Sequence, residues 1–316
     1  MKVLIYMEME ERHLDMIRAV SPDLVIVQAN TPSDAAREIQ DADAAFMWQR
    51  MDPALFALAK RLRWVHTWGA GPEGFLFPEF IRSDIVLTTG RGIAGPHVAE
   101  QAMALLLGLT RGVSRALRHP HWNQRKPIRS VVWELTGRTM GIVGFGGNGQ
   151  SVAMRAHGFG MRIIAVDPEP VTVPPFVEAC WPVERFHDLL SASDVVVICA
   201  PLTPRTRGMF DRIAFSRMRR HAILINVARG AIVDQSAMIE ALEQEKIGAA
   251  GLDTVYPEPL PDDHPLWTME NVLLTPHVGG GSPLRQDRIV ERFCENLGRF
   301  CSGVPLVGQV DKIKGY

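Results

Sequence analysis

The sequence predicts an α/β protein that contains two doubly wound parallel sheets. Short apolar runs alternate with helix-like segments along most of the 316 residues. These runs are continuous, as expected for parallel strands covered by helices on both faces. The length suits one large or two medium domains. A final amphipathic segment, residues 284–300, predicts a helix that crosses back to the first domain, so the second domain is expected to be an insertion.

The first domain is predicted from five apolar runs and three helical segments. Two helix starts carry a capping side chain next to a proline, Thr31-Pro32 and Asp52-Pro53. The expected strands are 3–6, 24–28, 44–48, 64–67 and 85–88, with helices near 9–20, 33–41 and 53–60.

A loop of small residues follows the fourth strand: Trp68, Gly69, Ala70 and Gly71. Ligands bind at this edge of open α/β sheets, and consecutive small residues leave backbone N–H groups open to an anion. A flexible turn without a ligand explains the same residues equally well.

A long apolar helix is expected to open at Gly95-Pro96. It is apolar on several faces, which favours packing at a domain or subunit boundary. The basic stretch 118–129 that follows is interpreted as a solvated loop, and we expect no nucleic-acid partner.

A glycine-rich turn joins the apolar run 139–143 to the next helix. Gly144 is expected to make the tight turn, Gly146 to let the backbone approach a pyrophosphate, and Gly149 to let the helix pack on the strand. Asp167 lies 18 residues beyond Gly149, where a carboxylate binds ribose hydroxyls and repels a 2′-phosphate. This βαβ unit predicts a Rossmann domain that binds NAD in preference to NADP; an unliganded structural turn is the alternative.

Composition limits the possible partners and compartment. The formal net charge of −1 gives no electrostatic basis for binding nucleic acid or an anionic membrane. No apolar run is long enough for a membrane span and the acidic N-terminus does not suit a signal peptide, so we expect a cytoplasmic protein. Without CxxC spacing, the cysteines are expected to be reduced thiols rather than disulfides or metal ligands: Cys180, Cys199, Cys294 and Cys301.

Apolar runs at 222–226, 248–252 and 272–274 predict further strands of the second domain, and a polar residue follows each of them: Arg229, Glu258 and His277. A guanidinium can hold a carboxylate at two points, an imidazole can exchange a proton with a hydroxyl or carbonyl oxygen, and a carboxylate can orient that imidazole. Taken singly, each residue has an ordinary structural explanation. Because all three are expected on one sheet edge, they predict a catalytic set.

Further motifs surround these residues in a fixed order: NVARG at 226–230, GLD at 251–253, EP at 258–259, HPL at 264–266 and NVLLTPHVGG at 271–280. Together with the glycine turn and Asp167, they resemble the D-isomer-specific 2-hydroxyacid dehydrogenase family. The resemblance is strongest over 98–282. It implies a Rossmann NAD-binding domain, 96–282, inserted into a flavodoxin-like substrate domain made of 1–95 and 283–316.

The resemblance also implies roles for individual residues. Arg229 would bind the substrate carboxylate and keto oxygen, His277 would be the acid and base, and Glu258 would pair with His277. Asp253 would hold the nicotinamide carboxamide. Other implied contacts are Gly147 and Asn148 with the pyrophosphate, and the amides of Gly69, Ala70 and Gly71 with the substrate carboxylate. Family members commonly dimerise through the nucleotide domain, so we expect a homodimer.

Two segments depart from the family pattern. The loop continues as Pro72-Glu73-Gly74 where the family usually has an aspartate, and Gly95-Pro96-His97 stands where many members have an asparagine. The first departure affects the expected substrate-side geometry. Neither departure changes the catalytic set.

The predicted activity is hydride transfer between NADH and a small 2-oxo acid of the glyoxylate or hydroxypyruvate kind. One alternative is a related dehydrogenase of another small anion, such as phosphite; a formate-type site is disfavoured because it resembles one with glutamine in place of Glu258. A second alternative is a non-catalytic NAD-sensing scaffold or corepressor. It is disfavoured because Arg229, Glu258 and His277 are all present.

Overall fold

The computed structural model describes residues 1–48 and 50–316. The N-terminal part of the chain forms the first of two sheets. The chain divides into two units, one made of Met1–Ala94 and Ser282–Tyr316 and the other of Gly95–Gly281. The strands of the first unit are β1 (Lys2–Tyr6), β2 (Val25–Gln28), β3 (Ala44–Met47), β4 (Trp64–Thr67) and β5 (Val86–Thr89). Its first helices are α1 (Glu11–Arg18), α2 (Pro32–Glu38), α3 (Pro53–Leu58) and α4 (Pro78–Arg82).

All five strands run parallel in the order β2-β1-β3-β4-β5, which is the flavodoxin-like order. The two predicted caps are confirmed: the side chain of Thr31 accepts the N–H of Asp34, and that of Asp52 accepts the N–H of Ala54. Helix α4 was not predicted, because its five residues are too few for a hydrophobic period to be visible.

The second unit has seven parallel strands. Its helices are α5 (Gly95–Thr110), α6 (Val113–Arg118), α7 (Arg125–Arg129), α8 (Gly147–Gly158), α9 (Phe186–Ala192), α10 (Arg212–Arg217) and α11 (Gln235–Glu243). Its strands are β6 (Thr139–Val143), β7 (Arg162–Val166), β8 (Ala179–Trp181), β9 (Val195–Ile198), β10 (Ile223–Asn226), β11 (Ala249–Leu252) and β12 (Val272–Leu274). The order β12-β11-β10-β9-β6-β7-β8 is that of a Rossmann sheet with a seventh strand at one edge. The predicted fold class of two doubly wound parallel sheets is confirmed.

The last helix, α12 (Arg285–Cys301), returns to the first unit. Its apolar face contributes Ile289, Phe293 and Leu297 to a core that also contains residues of β1 and α1. A second core on the other face of the sheet includes Ala35 of α2 and Leu55 of α3. Helices therefore cover both faces, which explains why the strands are apolar throughout.

One expectation about the second unit needs correction. The stretch 118–129 is not a plain loop, since a 3-10 turn (Trp122–Gln124) and α7 lie within it; its straight-chain polar residues tolerate helix well. Helix α5 is apolar on several faces because it packs against α8 and against β10, β11 and β12 of its own unit.

Among the described residues, no helix is long and apolar enough to cross a membrane. The four cysteines are free thiols.

Candidate active site

The glycine turn after β6 has the geometry of a phosphate cradle. Gly144 has φ +90°, and a Cβ there would lie 2.6 Å from the backbone nitrogen of Ala200. A Cβ on Gly149 would lie 2.2 Å from the carbonyl oxygen of Gly144, so α8 packs on the turn only without a side chain there. Helix α8 begins at Gly147, directly after Gly146, and Asn148 lies in its first turn. Helix-start N–H groups beside a glycine turn suit a dinucleotide pyrophosphate.

Asp167 follows the end of β7 and is joined to this turn. Its carboxylate accepts the N–H of Phe145 at 2.7 Å through Oδ2 and the N–H of Glu169 at 3.0 Å through Oδ1. These two bonds leave further lone pairs on both oxygens. The position is the one expected of an acid that binds the adenosine ribose, so the residues present fit a dinucleotide.

His277 and Glu258 form a direct pair at the carboxyl edge of the same sheet. His277 Nδ1 lies 2.8 Å from Glu258 Oε2, and both side chains are partly exposed, by 44% and 38%. The imidazole therefore has a carboxylate partner on one ring nitrogen, Nδ1.

The backbone of His277 is held in the left-handed region, with φ +53°. Its N–H donates to the carbonyl oxygens of Asp253 and Thr275, both at 2.9 Å. A non-glycine residue in this region is strained and persists where its surroundings hold it, a pattern that is frequent at active sites.

The carboxylate of Asp253 helps to fix this backbone conformation by accepting hydrogen bonds from the residues around His277. Oδ1 accepts from Thr275 Oγ1 at 2.7 Å and the N–H of Val278 at 3.0 Å, and Oδ2 accepts the N–H of Gly279 at 2.8 Å. Gln101 of α5 donates to Thr275 Oγ1 at 2.8 Å and to Asp253 Oδ1 at 3.4 Å. The buried Asp253 thus fixes the segment that carries His277.

Arg229 lies on a tightly shaped turn after β10. The side chain of Asn226 spans the turn, accepting the N–H of Ala228 at 3.0 Å and donating to the carbonyl of Arg229 at 3.1 Å. A Cβ on Gly230 would lie 1.9 Å from the carbonyl carbon of Val255, so the turn packs directly on the segment that leads to Glu258. Arg229, Glu258 and His277 therefore follow three neighbouring strands, β10, β11 and β12.

The small-residue loop lies at the carboxyl end of β4 in the first unit. The N–H of Trp68 donates to the carbonyls of Met47 and Trp48, and the N–H of Gly69 makes a long bond of 3.3 Å to Thr67 Oγ1. The N–H groups of Ala70 and Gly71 make no hydrogen bond to any described residue. Of the four loop residues, Ala70 and Gly71 thus have backbone N–H groups without a partner among the described residues, while Trp68 is buried.

Sequence reasoning missed Thr275 and Gln101. Thr275 stands in the TPH motif, so its proximity to His277 was visible. Gln101 gives no local signal, since its bond to Asp253 joins residues 152 positions apart.

A cavity of about 680 Å³ lies at the opposite, amino-terminal edge of the second sheet. Its charged groups pair with one another: Arg162 with Glu178 at 2.7 Å, and Arg219 with Asp194 at 3.0 Å. Burial opposes the charge of Asp194, but hydrogen bonds from His221, a backbone N–H and Arg219 hold its pKa below the usual value. Because ligands of open α/β sheets bind at the carboxyl edge, this cavity is not the candidate active site.

Comparison with known proteins agrees with the geometry. The family profile described as "D-isomer specific 2-hydroxyacid dehydrogenase, NAD binding domain" matches residues 103–279, more than half of the chain. The chain belongs to this family. It is therefore an enzyme of the 2-hydroxyacid dehydrogenase class with a nicotinamide cofactor, and its relatives support 2-oxo acid reduction.

Similar proteins in the family include glyoxylate reductases. That of Korarchaeum cryptofilum is 36% identical over 274 residues, 84% of this chain and 81% of the relative; that of Thermococcus onnurineus is 32% identical over 316 residues, 96% and 93%. A family member of known structure from Aeromonas salmonicida has a TM-score of 0.81 and 30% identity, covering 98% and 99% of the chains. The glyoxylate/hydroxypyruvate reductase of Sinorhizobium meliloti has a TM-score of 0.82 and 26% identity, covering 100% and 99%.

Proposed function

We propose that this enzyme reduces a small 2-oxo acid of the glyoxylate or hydroxypyruvate kind with NADH, giving the D-2-hydroxy acid. The observation that carries the proposal is the His277–Glu258 pair, joined at 2.8 Å, on the strand edge that also bears Arg229. A proton donor beside a guanidinium suits reduction of a carbonyl next to a carboxylate. Two relatives are glyoxylate reductases, which supports this substrate class.

In the proposed mechanism, each side chain of the set has one task. Arg229 binds the substrate carboxylate and keto oxygen, which polarises the carbonyl. His277 gives its proton to that oxygen as negative charge develops, and Glu258 orients the ring and stabilises its charged form. When bound, the reduced nicotinamide supplies the hydride. We assign the N–H groups of Ala70 and Gly71 to the substrate carboxylate.

The preference for NADH rests on Asp167. A carboxylate at the end of β7 repels a 2′-phosphate, and a second acid, Glu169, follows two residues later. The Sinorhizobium meliloti relative is NADPH-dependent, so the cofactor differs within the fold and depends on such residues. We assign Gly146, Gly147 and Asn148 to the pyrophosphate, while Gly144 and Gly149 shape the turn that binds the cofactor, and Asp253 remains a candidate partner of the carboxamide.

The test is steady-state oxidation of NADH with a panel of 2-oxo acids, with NADPH in parallel. Turnover of glyoxylate or hydroxypyruvate with NADH preferred is the expected result. Preference for NADPH would overturn the assignment of Asp167 alone. Tight NADH binding with no turnover of any 2-oxo acid would overturn the proposed reaction, and phosphite would then be tested as the donor.

We further propose a homodimer formed through the second unit. Several large apolar side chains in and around α6 and α7 are exposed, and such patches mark contact surfaces. They are Val113, Leu117, Trp122 and Val131. Sedimentation of the protein and of a Leu117→Ser, Trp122→Ser variant tests this: the wild type should sediment as a dimer and the variant as a monomer.

A further inference from the structure

The cavity of about 680 Å³ at the amino-terminal edge of the second sheet has the volume of a small-molecule site and is lined by residues of the second unit. The register of β6 and β7 places Thr139, Arg162 and Ile164 on one face of the sheet. Gly141 lies on the same face, and a Cβ there would lie 2.6 Å from the side chain of Leu189 in α9. The cavity therefore lies on the face that α9 covers, apart from the carboxyl edge that carries the candidate active site.

Arg138 brings to this cavity a guanidinium that the fold leaves without a hydrogen bond to any described residue. The one carboxylate of a described residue within 4.0 Å is that of Asp194, 3.8 Å away. The residue is nevertheless fixed, because its carbonyl accepts the N–H of Arg162 at 2.8 Å. The guanidinium of Arg162 differs, since it donates to both oxygens of Glu178, at 2.7 and 3.0 Å. Arg138 is therefore the cation of this cavity that is available to a ligand.

The carboxylate of Asp194 does not neutralise Arg138, because other donors already use it. Its Oδ2 accepts the N–H of Thr139 at 2.9 Å. Its Oδ1 lies 3.0 Å from Arg219 Nη1 and 2.7 Å from His221 Nε2. One carboxylate thus faces the guanidinium groups of both Arg138 and Arg219, so positive charge is in excess here and attracts an anion.

Thr139 adds a hydroxyl that is also unused. The residue is buried and lines the cavity, and its hydroxyl forms no hydrogen bond with a described residue. A buried hydroxyl without a partner is costly, and an oxygen of a ligand would satisfy it. Arg138 and Thr139 therefore offer two sets of donors to the same anion.

The remaining wall of the cavity is apolar. The indole of Trp181 lines it together with Ile164 and Ala192. The guanidinium of Arg185 lies 3.8 Å from the centroid of the indole ring and covers one side of it. The partly buried indole gives a flat apolar surface on which a ligand can pack.

We propose that this cavity is a second ligand site, distinct from the candidate active site, and that it binds a phosphate monoester that carries a flat apolar group. Arg138 binds two phosphate oxygens, and the hydroxyl of Thr139 donates to the third. The apolar group lies against Trp181 and Ile164. A phosphate monoester suits the cavity better than a carboxylate, because its charge of about −2 and its three oxygens match the excess positive charge and the unused donors.

Isothermal titration calorimetry with phenyl phosphate and with inorganic phosphate tests this inference, on protein saturated with NADH so that the dinucleotide site is filled. Phenyl phosphate should bind more tightly than inorganic phosphate, because only the ester reaches the indole. Arg138→Met should weaken binding of both by roughly 10- to 100-fold, the range of hydrogen bonds to a charged group, and Arg138→Lys should lose less. Trp181→Leu should weaken phenyl phosphate alone, by roughly threefold to tenfold.

Arg212→Met is the matched control, since it removes an exposed arginine of the same unit that pairs with Glu240 at 2.8 Å outside the cavity. It should bind both probes as the wild type does. Absence of phenyl phosphate binding overturns the inference, and so does binding that Arg138→Met leaves unchanged, since the probe then occupies another site. Equal loss of both probes in Trp181→Leu overturns the role of the apolar wall. The titration requires no turnover, so each of these outcomes leaves the proposed function standing.

Discussion

Asp253 holds His277 in place through three consecutive backbone N–H groups. The N–H of His277 donates to the Asp253 carbonyl oxygen at 2.9 Å, and those of Val278 and Gly279 donate to its carboxylate at 3.0 and 2.8 Å. A left-handed non-glycine residue costs about 1 kcal/mol or more, so the φ of +53° at His277 depends on these bonds. The same geometry lets the ring reach Glu258.

Asp253→Asn should lower kcat by roughly 10-fold or more, because the amide has one acceptor oxygen where the carboxylate has two, and the His277 segment loses part of its support. The variant should keep its thermal unfolding midpoint within a few degrees, with Asp211→Asn, a cap of α10, as the control. An unchanged kcat with weaker NADH binding would show that Asp253 acts only on the cofactor.

Gln101→Leu should give a smaller loss of kcat than Asp253→Asn, on the order of threefold, because it removes one donor from the same network. Gln101→Glu, which cannot donate when ionised and adds charge beside Asp253, should lose more. The two kcat values decide this, and the opposite ranking would contradict a role for the Gln101 amide as a donor.

Asp167→Ala should raise the ratio of kcat/KM for NADPH over NADH by about 10- to 100-fold, since a carboxylate no longer repels the 2′-phosphate. NADH binding should also weaken, because the N–H of Phe145 loses its acceptor. Asp188→Ala, an exposed acid of the same unit, serves as the control. A ratio that does not move would show that Asp167 has no part in cofactor choice.

His66 makes stability depend on pH. Burial lowers its pKa to about 3, with a smaller contribution from Arg292, whereas the pKa of a histidine in the unfolded chain is about 6.5. Between these values the unfolded state takes up a proton that the folded state does not, so stability falls with falling pH by up to about 1.4 kcal/mol per unit.

Urea unfolding at about pH 7 and about pH 5 measures this effect. His66→Asn should be less stable at both values, because it leaves a space among Phe46, Trp64 and Phe293, but its loss between the two should be smaller. Equal losses in both proteins would mean that His66 does not contribute to the pH dependence.

The local patterns of the sequence were enough for the fold. Apolar runs predicted most strands. The spacing of Gly144 and Gly149 after the run 139–143 predicted the turn, and in the structure a side chain at either position would meet backbone. Strand β8 was not predicted, because its apolar run is only three residues long and too short to show a strand pattern.

Contacts between residues that are far apart in the sequence could not be predicted. The N–H of Trp68 donates to the carbonyls of Met47 and Trp48, and Gln101 donates to Asp253. Both contacts depend on how strands and helices meet in three dimensions. The apolar character of α5 did not by itself reveal its packing within the second unit, since sequence cannot distinguish burial within a unit from burial at an interface.

The central claim is that His277 donates the proton during reduction of the 2-oxo acid, and a single-turnover measurement of NADH oxidation with glyoxylate tests it most directly. His277→Gln should lower the rate by about 10²- to 10⁴-fold while NADH affinity, measured by fluorescence titration, stays within about threefold. His119→Gln removes the histidine of another His–Glu pair, with Glu270 at 3.1 Å, and should match the wild type. A His277→Gln rate near that of the wild type, or an equal loss of NADH affinity, would contradict the claim.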